Sequence, residues 1–592
     1  MSAPHSTHRP VLVLDGDQPS ALAIVRSLGR RGIPVDVGSD TLAPLAGCSR
    51  HARSVLRYPD PLRHESAFVD WLVARLQDNP YALIVPVTER AVVPLMRYRH
   101  RFNDAHLAMA PNAALEQVLD KDQTLRLALD LGIPAPKSVR VDEMAQWPDA
   151  AARLGYPIVV KPVRSVGQDS SRNVQLSVSY ASSAKELEAR LQHALRYGSV
   201  LLQEHFRGDG VGIELIADRG VVRYAFQHRR LHEVPLTGGG SSLRISETIV
   251  PALRLASERL MASLNWHGVA MVEFKYSAAT GEFRLMEING RFWGSLPLAT
   301  AAGADFPAML HELMTTGRVG DHAPARVGIV CRHLARDIDW LEHVLRRSGP
   351  PGLVQFPGAR QILRDSTMVF SRRHHFDVQS LRDPWPGVVD LWRIARTRWQ
   401  RLAGQFWRRR RLAQERRAGR PGGTGQQRLA RAHKVLFLCY GNINRSAFAM
   451  AYAQSRHSQR LQFMSAGFHA PGGRPADPTM VEVAAKERVD LSSWKSCVLD
   501  TTMVAEAEII LAMELAHLDR LLQEHPDARG KAFLLGSAIG ATKTEPNLEV
   551  PDPYGRDRQT YVDVCRQVMR AIDAWIPAPT STPASAIADP RT

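Results

Sequence analysis

The sequence predicts a multidomain protein of mixed α/β and α+β class, with a doubly wound domain near each end of the chain. At 592 residues the chain is too long for a single hydrophobic core. Apolar runs alternate with helical patterns in both end regions, as in "VLVL" followed by "PSALAIVRSLGRRG", which indicates parallel sheets. Between these regions, a series of strands with polar residues at their ends indicates an α+β domain.

The composition is that of a globular protein, with 44% hydrophobic and 23% charged residues. The N-terminal "MSAPHSTHRP" lacks the apolar run of a secretory signal, and no stretch is apolar enough for a membrane span. An odd number of cysteines without zinc-site spacing argues against a disulfide framework. They are Cys48, Cys331, Cys439, Cys497 and Cys565. We therefore expect a reducing, cytoplasmic location.

Changes in pattern divide the chain into five segments. They are a doubly wound domain at 1–111, an α+β domain at 112–325, a helical and basic extension at 326–433, a second doubly wound domain at 434–577 and a tail at 578–592. The tail is rich in Pro, Ser and Ala, so we expect it to be disordered. "GRPGGTGQQ" within the extension has the composition of a flexible linker.

The segment "VEFKYSAATGEFRLMEINGR" predicts a metal site on a hairpin. Glu273 ends one strand, and Glu287 and Asn289 lie two residues apart on the returning strand, so both face the same side. Converging oxygen ligands of this kind suit Mg²⁺, which binds carboxylates together with phosphate oxygens. Arg291 continues that face and is placed to hold a phosphoryl group. The alternative is a set of ordinary charges at strand ends.

Lys161 directly follows the apolar strand "PIVV", where a point charge can meet a phosphate. In this order the motifs from Val11 to Gly320 resemble the ATP-grasp superfamily. The resemblance implies a doubly wound N-terminal domain followed by α+β ATP-binding domains. It also implies activation of a small carboxylate as an acyl phosphate, from which an amine displaces phosphate. ATP and Mg²⁺ would be the cofactors, with Mn²⁺ as an alternative metal.

The same resemblance assigns roles to individual residues. Lys121 of "DKDQT" and Lys161 would bind the ATP phosphates, beneath a flap formed by "RSVGQDSS". Gln203 and Glu204 of the "QEHF" hinge would meet adenine, and Glu214 would meet the ribose. The Mg²⁺ ligands would be the two glutamates and the asparagine of the hairpin, and the arginine after them would steady the transferred phosphoryl group.

The segment "KVLFLCYGNINRSAFAMAYAQ" predicts a phosphate-binding loop. Five residues separate Cys439 from Arg445 and Ser446, with a strand before the loop and a helix after it. Inward backbone N–H groups and the helix N-terminus favour a phosphate dianion and a thiolate, whereas a free Cys has a pKa of about 8.5. Arg445 offers a planar fork to two phosphate oxygens. Gly441 permits close approach of the backbone, and Asn442 can hold the loop by hydrogen bonds.

A cysteine phosphatase also needs an acid for the leaving oxygen, and "EVPDPYGRD" offers Asp552 between two prolines. Together with "SAGF" and "AEIILAM", these motifs make residues 434–576 resemble the low-molecular-weight protein tyrosine phosphatase family. The resemblance implies Cys439 as nucleophile, Arg445 as phosphate ligand and Asp552 as general acid, then base. Ser446 would hydrogen-bond the thiolate, and Tyr554 would line the entrance.

Two positions depart from that family's pattern. Asn444 stands where members often carry a second Cys, and Ala447 stands where they carry a Pro. The related arsenate reductases need further cysteines, and Cys497 and Cys565 do not form a close pair in the sequence. We therefore favour hydrolysis of a phosphate ester, either a phosphotyrosine protein or a small molecule, over arsenate reduction. A buried, inert Cys439 is the remaining alternative.

The extension holds most of the net charge of +17. Residues 391–434 contain 14 Lys and Arg but a single acidic residue, Glu415. The folded domains therefore carry little of the net charge, so we expect no specific nucleic-acid partner for them. Trp392, Trp399, Leu402 and Phe406 share one helical face. This face would contact either an anionic membrane surface or the preceding domain, and we expect the second.

The sequence thus predicts a fusion of an ATP-dependent ligase with a cysteine-dependent phosphatase. An alternative from a different class is a nucleotide-binding regulatory module that controls a phosphatase, the phosphatase being the only catalyst. ADP formation that depends on an acceptor would distinguish the two.

Overall fold

Two units make up the chain, and they divide after Arg396. The computed structural model describes residues 9–102, 107–164, 166–169, 172–349, 352–539 and 548–576. The predicted tail and residues 165, 170 and 171 of the predicted flap lie outside these ranges. In the part of the chain that is described, no helix has both the length and the apolarity to cross a membrane.

The first unit begins with a parallel sheet flanked by helices, as predicted. Its elements are β1 (Val11–Val13), α1 (Pro19–Arg30), β2 (Val35–Ser39), β3 (Ala52–Arg57), α2 (Glu65–Asp78), β4 (Leu83–Val85) and α3 (Glu89–Arg97). The strand order is β3-β2-β1-β4, with every pair parallel. Pro19 occupies the first turn of α1, where its missing N–H costs nothing, and the Thr88 side chain caps α3.

An antiparallel sheet follows two helices. The elements are α4 (Asn112–Leu119), α5 (Lys121–Asp130), β5 (Ser138–Val141), α6 (Trp147–Leu154), β6 (Ile158–Pro162), β7 (Val166–Asp169), β8 (Arg172–Gln175), β9 (Ser179–Ala181), α7 (Ala184–Ala194) and β10 (Val200–Glu204). The sheet order is β5-β10-β6-β9, and β7 pairs with β8 as a hairpin in the region of the predicted flap. Asp120 caps α5 by accepting from two backbone N–H groups.

A seven-stranded sheet forms the centre of the unit, in the order β15-β14-β11-β12-β13-β16-β17. Its elements are β11 (Asp209–Asp218), β12 (Val221–Val234), β13 (Gly240–Glu247), α8 (Pro251–Ser263), β14 (Gly268–Tyr276), β15 (Phe283–Asn289), α9 (Leu296–Ala302), α10 (Phe306–Thr316), β16 (Val330–Arg332), α11 (Leu334–Leu345), α12 (Ala359–Thr367) and β17 (His374–Phe376). All its pairs are antiparallel except β16 with β17.

The domain boundary predicted after residue 325 is wrong. Strand β16 pairs with β13, and β17 adds a further strand to the same sheet, so the α+β domain continues beyond that point. Buried polar contacts reinforce this continuity. Arg244 of β13 pairs with Asp377 at 2.6 Å, and both side chains are almost fully buried. The extension is therefore not purely helical, since its first part completes the central sheet.

The basic segment forms a long helix, α13 (Pro384–Gly419), followed by α14 (Thr424–Arg431). The four residues of its predicted apolar face are all exposed, so each is left uncovered by the unit to which it belongs, and the predicted packing of this face on the preceding domain stays a prediction. The flexible linker predicted from "GRPGGTGQQ" is wrong, because the end of that segment belongs to α14, which packs within the second unit. Its Gly425 leaves room for Trp575, whose ring lies 2.7 Å from where a Cβ would stand, and Leu429 joins the core.

The second unit contains a four-stranded parallel sheet in the order β19-β18-β20-β21, as predicted. Its elements are β18 (Lys434–Cys439), α15 (Arg445–His457), β19 (Gln462–Gly467), α16 (Pro478–Lys486), α17 (Thr501–Glu506), β20 (Ile509–Ala512), α18 (Leu515–Glu524), β21 (Ala532–Leu534) and α19 (Arg558–Trp575). The carboxyl ends of its strands meet at one edge, where ligands bind in open α/β sheets. Cys439 ends β18 at that edge.

Candidate active sites

The hairpin of β14 and β15 brings the predicted metal ligands together. Glu273 pairs with Glu287 across the two strands, and Met271 pairs with Asn289. The Asn289 Nδ2 donates to Glu273 Oε1 at 3.1 Å and to Glu287 Oε1 at 3.3 Å. Both carboxylates therefore point at one spot, because cross-strand neighbours on one face lie close together.

This donor set fits a hard divalent cation. Two carboxylates and one amide converge here. A flip of the Asn289 amide group by about 180° would direct its oxygen, instead of its nitrogen, towards the cation. Among the described residues no three His, Cys, Asp or Glu side chains converge as a metal site, and Asn289 is the third donor of the predicted set. Mg²⁺ bound here would keep open positions for phosphate oxygens.

Cations surround these carboxylates. Burial alone would raise the pKa of Glu287, but Lys121, Lys161, Arg230 and Arg291 together hold it below its ordinary value. Burial lowers the pKa of Lys161, and the charge of Glu287 partly offsets that effect. The site is thus rich in positive charge around a few acceptor oxygens, which suits the negative phosphates of a nucleotide.

The two lysines reach the site from neighbouring elements. Lys161 lies on β6, opposite Leu201 of β10, and Lys121 is the first residue of α5. The Lys121 backbone N–H donates to Val163 O at 3.1 Å, which ties the start of α5 to the end of β6. The structure therefore brings both predicted phosphate ligands close to Glu287.

The predicted adenine hinge lies at the end of β10. Gln203 is buried and its Nε2 donates to Ser138 Oγ at 3.0 Å, whereas Glu204 Oε1 accepts from the Lys137 backbone N–H. Both side chains hold β10 against the β5 side of the sheet. The role of this hinge in nucleotide binding stays a prediction.

Glu214 does not fit the predicted ribose contact. It is fully buried on β11, where Ser295 Oγ donates to its Oε1 at 2.6 Å and His228 Nδ1 lies 2.9 Å away. The resemblance assigned it to the ribose, but Ser295, in the segment leading into α9, contacts it and its side chain has no exposed surface. Glu214 thus holds the sheet to the α9 side of the unit.

Arg291 and Glu89 border a cavity of about 80 Å³ beside the metal ligands. Arg291 Nη2 lies 3.4 Å from Glu89 Oε1, and Lys121 also lines the cavity. Glu89 and Arg230 were missed by the sequence analysis. Arg230 Nη2 lies 2.5 Å from Glu273 Oε2, because β12 runs next to β11 and reaches the face of the sheet that carries the hairpin glutamates.

The loop after β18 surrounds the Cys439 sulfur with donors. Cys439 Sγ lies 2.9 Å from Ser446 Oγ, and the Asn442 backbone N–H donates to the sulfur at 3.2 Å. Cys439, Asn442 and Ser446 are all buried. The first residues of α15 follow directly, so the positive end of that helix lies at the loop. These contacts place hydrogen-bond donors and the positive end of a helix around the sulfur.

Asn442 holds the loop in shape, as predicted from its position. Its backbone has a φ of 54°, a left-handed conformation that Asn tolerates better than most residues. Its Nδ2 donates to Ser446 Oγ at 3.0 Å and to Ser465 Oγ at 2.6 Å, and its Oδ1 accepts from the Cys497 backbone N–H. Beside it, the Gly441 carbonyl accepts from Arg474 Nη2 at 2.7 Å.

Arg445 lies buried between two acidic groups and the backbone. Its Nη2 is 3.1 Å from Asp552 Oδ2, its Nη1 is 3.1 Å from Glu514 Oε1, and Nη1 donates to Val550 O at 2.9 Å. The structure therefore brings the predicted acid loop to the predicted phosphate ligand. Glu514 was missed by the sequence analysis, because it reaches the site from the end of a different strand, β20.

The acid loop is open to solvent. The Asp552 side chain is half exposed, and its Oδ1 accepts from the Tyr554 backbone N–H at 3.3 Å. The Tyr554 side chain is exposed, as a residue at an entrance would be. A proton donor that faces solvent can release its proton to a leaving oxygen and regain it from water.

Comparison with known proteins finds a match for part of each unit. Residues 434–582 match the model for low molecular weight phosphotyrosine protein phosphatase. A probable low molecular weight protein-tyrosine-phosphatase, EpsP of Ralstonia nicotianae, is 32% identical over 143 residues, which cover 24% of this chain and 93% of the relative. Wzb of Escherichia coli K12, a phosphatase of the same description, is 33% identical over 146 residues, covering 25% and 95%.

Over this region the chain belongs to the low-molecular-weight protein tyrosine phosphatase family. Residues 197–336 match a second model, described as ATP-grasp in the biosynthetic pathway with Ter operon. An L-amino acid ligase from Bacillus licheniformis aligns with a TM-score of 0.42 and 17% identity, over 52% of this chain and 75% of the ligase. Both resemblances predicted from the sequence are confirmed, since one part of the chain matches an ATP-grasp model and a later part matches the low-molecular-weight tyrosine phosphatase model.

Proposed function

We propose that the phosphatase domain hydrolyses aryl phosphate monoesters, phosphotyrosine included, with Cys439 as the nucleophile. The observation that carries this proposal is the convergence of a donor-surrounded thiol, a buried guanidinium and a solvent-facing carboxyl group. Cys439, Arg445 and Asp552 supply these three groups, and Ser446 and Asn442 support the sulfur. Relatives that are a third identical carry the name of a tyrosine phosphatase.

The geometry supports a two-step transfer. The Cys439 thiolate attacks phosphorus, the bond from phosphorus to the aryl oxygen breaks, and Asp552 gives that oxygen its proton. Water then attacks the phosphocysteine while Asp552 takes a proton from the water, and the sulfur–phosphorus bond breaks to release inorganic phosphate. Arg445 holds two oxygens of the phosphoryl group throughout, in place of its present carboxylate partners.

A pair of cysteine variants tests this assignment. Cys439→Ser should abolish hydrolysis of p-nitrophenyl phosphate, because an alcohol is not ionised near neutral pH. Binding of a phosphotyrosine peptide should survive, since Arg445 and the loop N–H groups remain. Cys497→Ser is the matched control, because that thiol is exposed and lies outside the set of side chains around the sulfur. Near-normal turnover by Cys439→Ser would rule the mechanism out.

We propose that the ATP-grasp domain joins a small carboxylate to an amine at the expense of ATP. Lys121 and Lys161 would hold the ATP phosphates, and Arg291 would steady the phosphoryl group that the carboxylate receives. Mg²⁺ held by the two hairpin glutamates and Asn289 would neutralise phosphate charge during the transfer. The amine then attacks the acyl carbon, and phosphate leaves. We also propose a cytoplasmic location, which the five free thiols support.

Mass spectrometry of a metabolite extract incubated with the purified chain, ATP and Mg²⁺ tests the ligase proposal. A product whose mass equals that of a carboxylate plus an amine minus water should form together with ADP. Glu287→Ala should form neither, whereas Glu282→Ala, an exposed change in the turn of the same hairpin, should form both. ADP release without any acceptor-dependent product would contradict the ligase and support a regulatory nucleotide site.

A further inference from the structure

Helix α13 carries an apolar stripe, which we define by residues that recur three and four positions apart. They are Trp385, Val388, Trp392, Ala395, Trp399, Leu402 and Phe406. This spacing puts them on one face of the helix over more than five turns. The described protein leaves the stripe uncovered, since Trp399 is 73% exposed and the least exposed of the large side chains, Val388, is 49% exposed. Monomeric soluble proteins rarely expose a contiguous apolar surface of this size.

Within each unit, the contacts of α13 lie on the side of the helix opposite the stripe. Asp390 accepts from Gln379 Nε2 at 2.7 Å, and Arg393 Nη1 lies 2.8 Å from Asp17 Oδ1. Further along, Leu412 packs against a buried apolar cluster, and Glu415 accepts from the Leu534 backbone N–H at 2.9 Å. These four helix positions cluster opposite the stripe on a helical wheel. In each unit the stripe therefore faces away from the residues of that unit that α13 contacts.

Arginine borders the stripe on both sides. Arg396 and Arg398 flank it in the middle of the helix, and Arg396 lies over the Trp392 ring at 5.1 Å. Between residues 391 and 434 the only acidic residue is Glu415, which is buried and already accepts a backbone hydrogen bond. Arg393 pairs with Asp17 and Arg408 with Glu549, but 14 Lys and Arg against one acidic residue leave this segment with an excess of positive charge around a band of aromatic and aliphatic side chains.

We propose that α13 lies flat in the interface of an anionic lipid bilayer, with the stripe among the acyl chains and the arginines at the phosphate groups. Indole rings favour this interfacial depth, because they combine an apolar body with a polar N–H. Arginine stems can lie along apolar surface while the guanidinium groups reach the headgroups. Anionic lipids attract nearby basic side chains strongly at low salt and weakly at high salt.

A second copy of the chain fits the stripe less well. The spacing of three and four also occurs along the seam of a coiled coil, where the flanking positions must carry complementary charges. Here those positions include Arg396 and Arg398 and no acidic residue, so two copies would bring like charges together. Nucleic acid fits less well too, because phosphates would need arginines at the centre of the outward face, where tryptophans stand.

Vesicle sedimentation with the full chain tests the proposal. Vesicles of phosphatidylcholine mixed with phosphatidylglycerol should bind the protein, and vesicles of phosphatidylcholine alone should bind it weakly. Raising the salt concentration should release it. The double variant Trp399→Ser, Phe406→Ser should bind roughly a hundredfold more weakly, at about tenfold for each large apolar side chain removed from the bilayer. The blue shift of tryptophan emission on binding should shrink as well.

Two controls make the outcome decisive. Phe370→Ser changes an aromatic residue that is 87% exposed outside α13, and it should bind vesicles as the unaltered chain does. Hydrolysis of p-nitrophenyl phosphate should be normal in every variant, which shows that the phosphatase domain is folded. Absence of binding to anionic vesicles would overturn the proposal. An equal loss of vesicle binding in Phe370→Ser would overturn it too. So would a dimer of the unaltered chain that dissociates in the double variant, or binding of duplex DNA through the stripe in the absence of vesicles.

Discussion

Arg445 makes two carboxylate contacts in the described site, and a phosphate ester must displace at least part of them. Asp552 and Glu514 each lie 3.1 Å from the guanidinium. Because the planar fork can serve two oxygens at once, a bound phosphoryl group competes with these residues for the same donors. Release of Asp552 from Arg445 would leave it available to protonate the leaving oxygen. Substrate binding and readiness of the acid are thus linked at one side chain.

Asp552→Asn should slow the reaction in a way that depends on the leaving group. With phenyl phosphate, a poor leaving group, the rate should fall roughly 10²–10⁴-fold, since an amide cannot donate the proton that the oxygen needs. With p-nitrophenyl phosphate the loss should be much smaller, because that oxygen leaves with little protonation. Steady-state rates on both esters provide the measurement, and equal losses on the two would exclude Asp552 as the acid.

At the residue scale, prediction from the sequence worked where the chemistry is local. Cys439 to Ser446 is a continuous loop, so its donors follow from spacing alone. Arg230 was not predicted, because its contact with Glu273 depends on the order of the strands in the sheet. The alternation of residues within one strand does not reveal that order. Glu214 was misassigned for a related reason. Its role came from the resemblance alone, and the Ser295 segment that contacts the buried side chain is far away in the sequence.

Helix α18 carries a histidine that the fold keeps neutral. His517 is buried in its first turn, and burial together with the charge of Arg445 lowers its pKa to about 3, despite Glu514 at 3.5 Å. The unfolded value is about 6.5, so between these two pH values the unfolded chain binds a proton that the folded chain excludes. This group therefore removes stability as the pH falls from about 6.5 towards 3, and has no such effect above that range.

His517→Gln should weaken the acid sensitivity of the phosphatase domain. The histidine contributes a slope of up to about 1.4 kcal/mol in the free energy of unfolding per pH unit over that window. The measurement is the urea concentration that halves phosphatase activity, at pH 7 and at pH 5, normalised to the activity without urea. The drop between the two pH values should be smaller in the variant than in the unaltered chain. An identical drop would show that His517 is not the group responsible.

The β14–β15 hairpin carries the metal ligands of the proposed ligase reaction. Glu287→Ala removes a carboxylate that four cations surround, so Mg·ATP should bind much more weakly and ATP turnover with an acceptor should collapse. Isothermal titration of Mg·ATP gives the affinity directly. Glu282→Ala, at the exposed turn of the same hairpin, should bind Mg·ATP normally. Unaltered affinity in Glu287→Ala would overturn the metal-site assignment.

Elements with a strong periodic pattern were predictable, and short ones were not. The parallel sheets and the long basic helix follow from runs of apolar residues and from helical spacing. Strands β16 and β17 are three residues each, too short for any pattern, and they join the central sheet only because β13 presents a free edge to them. The predicted boundary at residue 325 failed for this reason.

At the scale of the whole molecule, the two active sites should respond independently to local changes. Each lies within its own unit, Glu287 in the first and Cys439 in the second. Glu287→Ala should therefore leave p-nitrophenyl phosphate hydrolysis unchanged, and Cys439→Ser should leave Mg·ATP binding unchanged. The two assays on both variants provide the measurement. Loss of phosphatase activity in a folded Glu287→Ala chain would show coupling between the units.

A phosphatase cut free at Lys434 should be less stable than one that starts at Thr397. The longer form keeps the end of α13 and the whole of α14, whose Leu412 and Leu429 pack against the phosphatase core. Losing these apolar contacts should lower the thermal midpoint by roughly 5 °C or more. Scanning calorimetry of the two fragments is the measurement. Equal midpoints would show that α14 merely rests on the surface.

The packing of α14 also bears on where the phosphatase can be joined to another protein. Its Gly425 lies against Trp575, and Gln426 Nε2 donates to the Ala574 carbonyl at 3.1 Å, so the last helix of the phosphatase is shaped around this segment. A recombination event that placed a new partner directly before β18 would leave Trp575 without its neighbour. A joint that preserves this packing therefore lies ahead of Leu412, the first of these helix residues to pack against the phosphatase core.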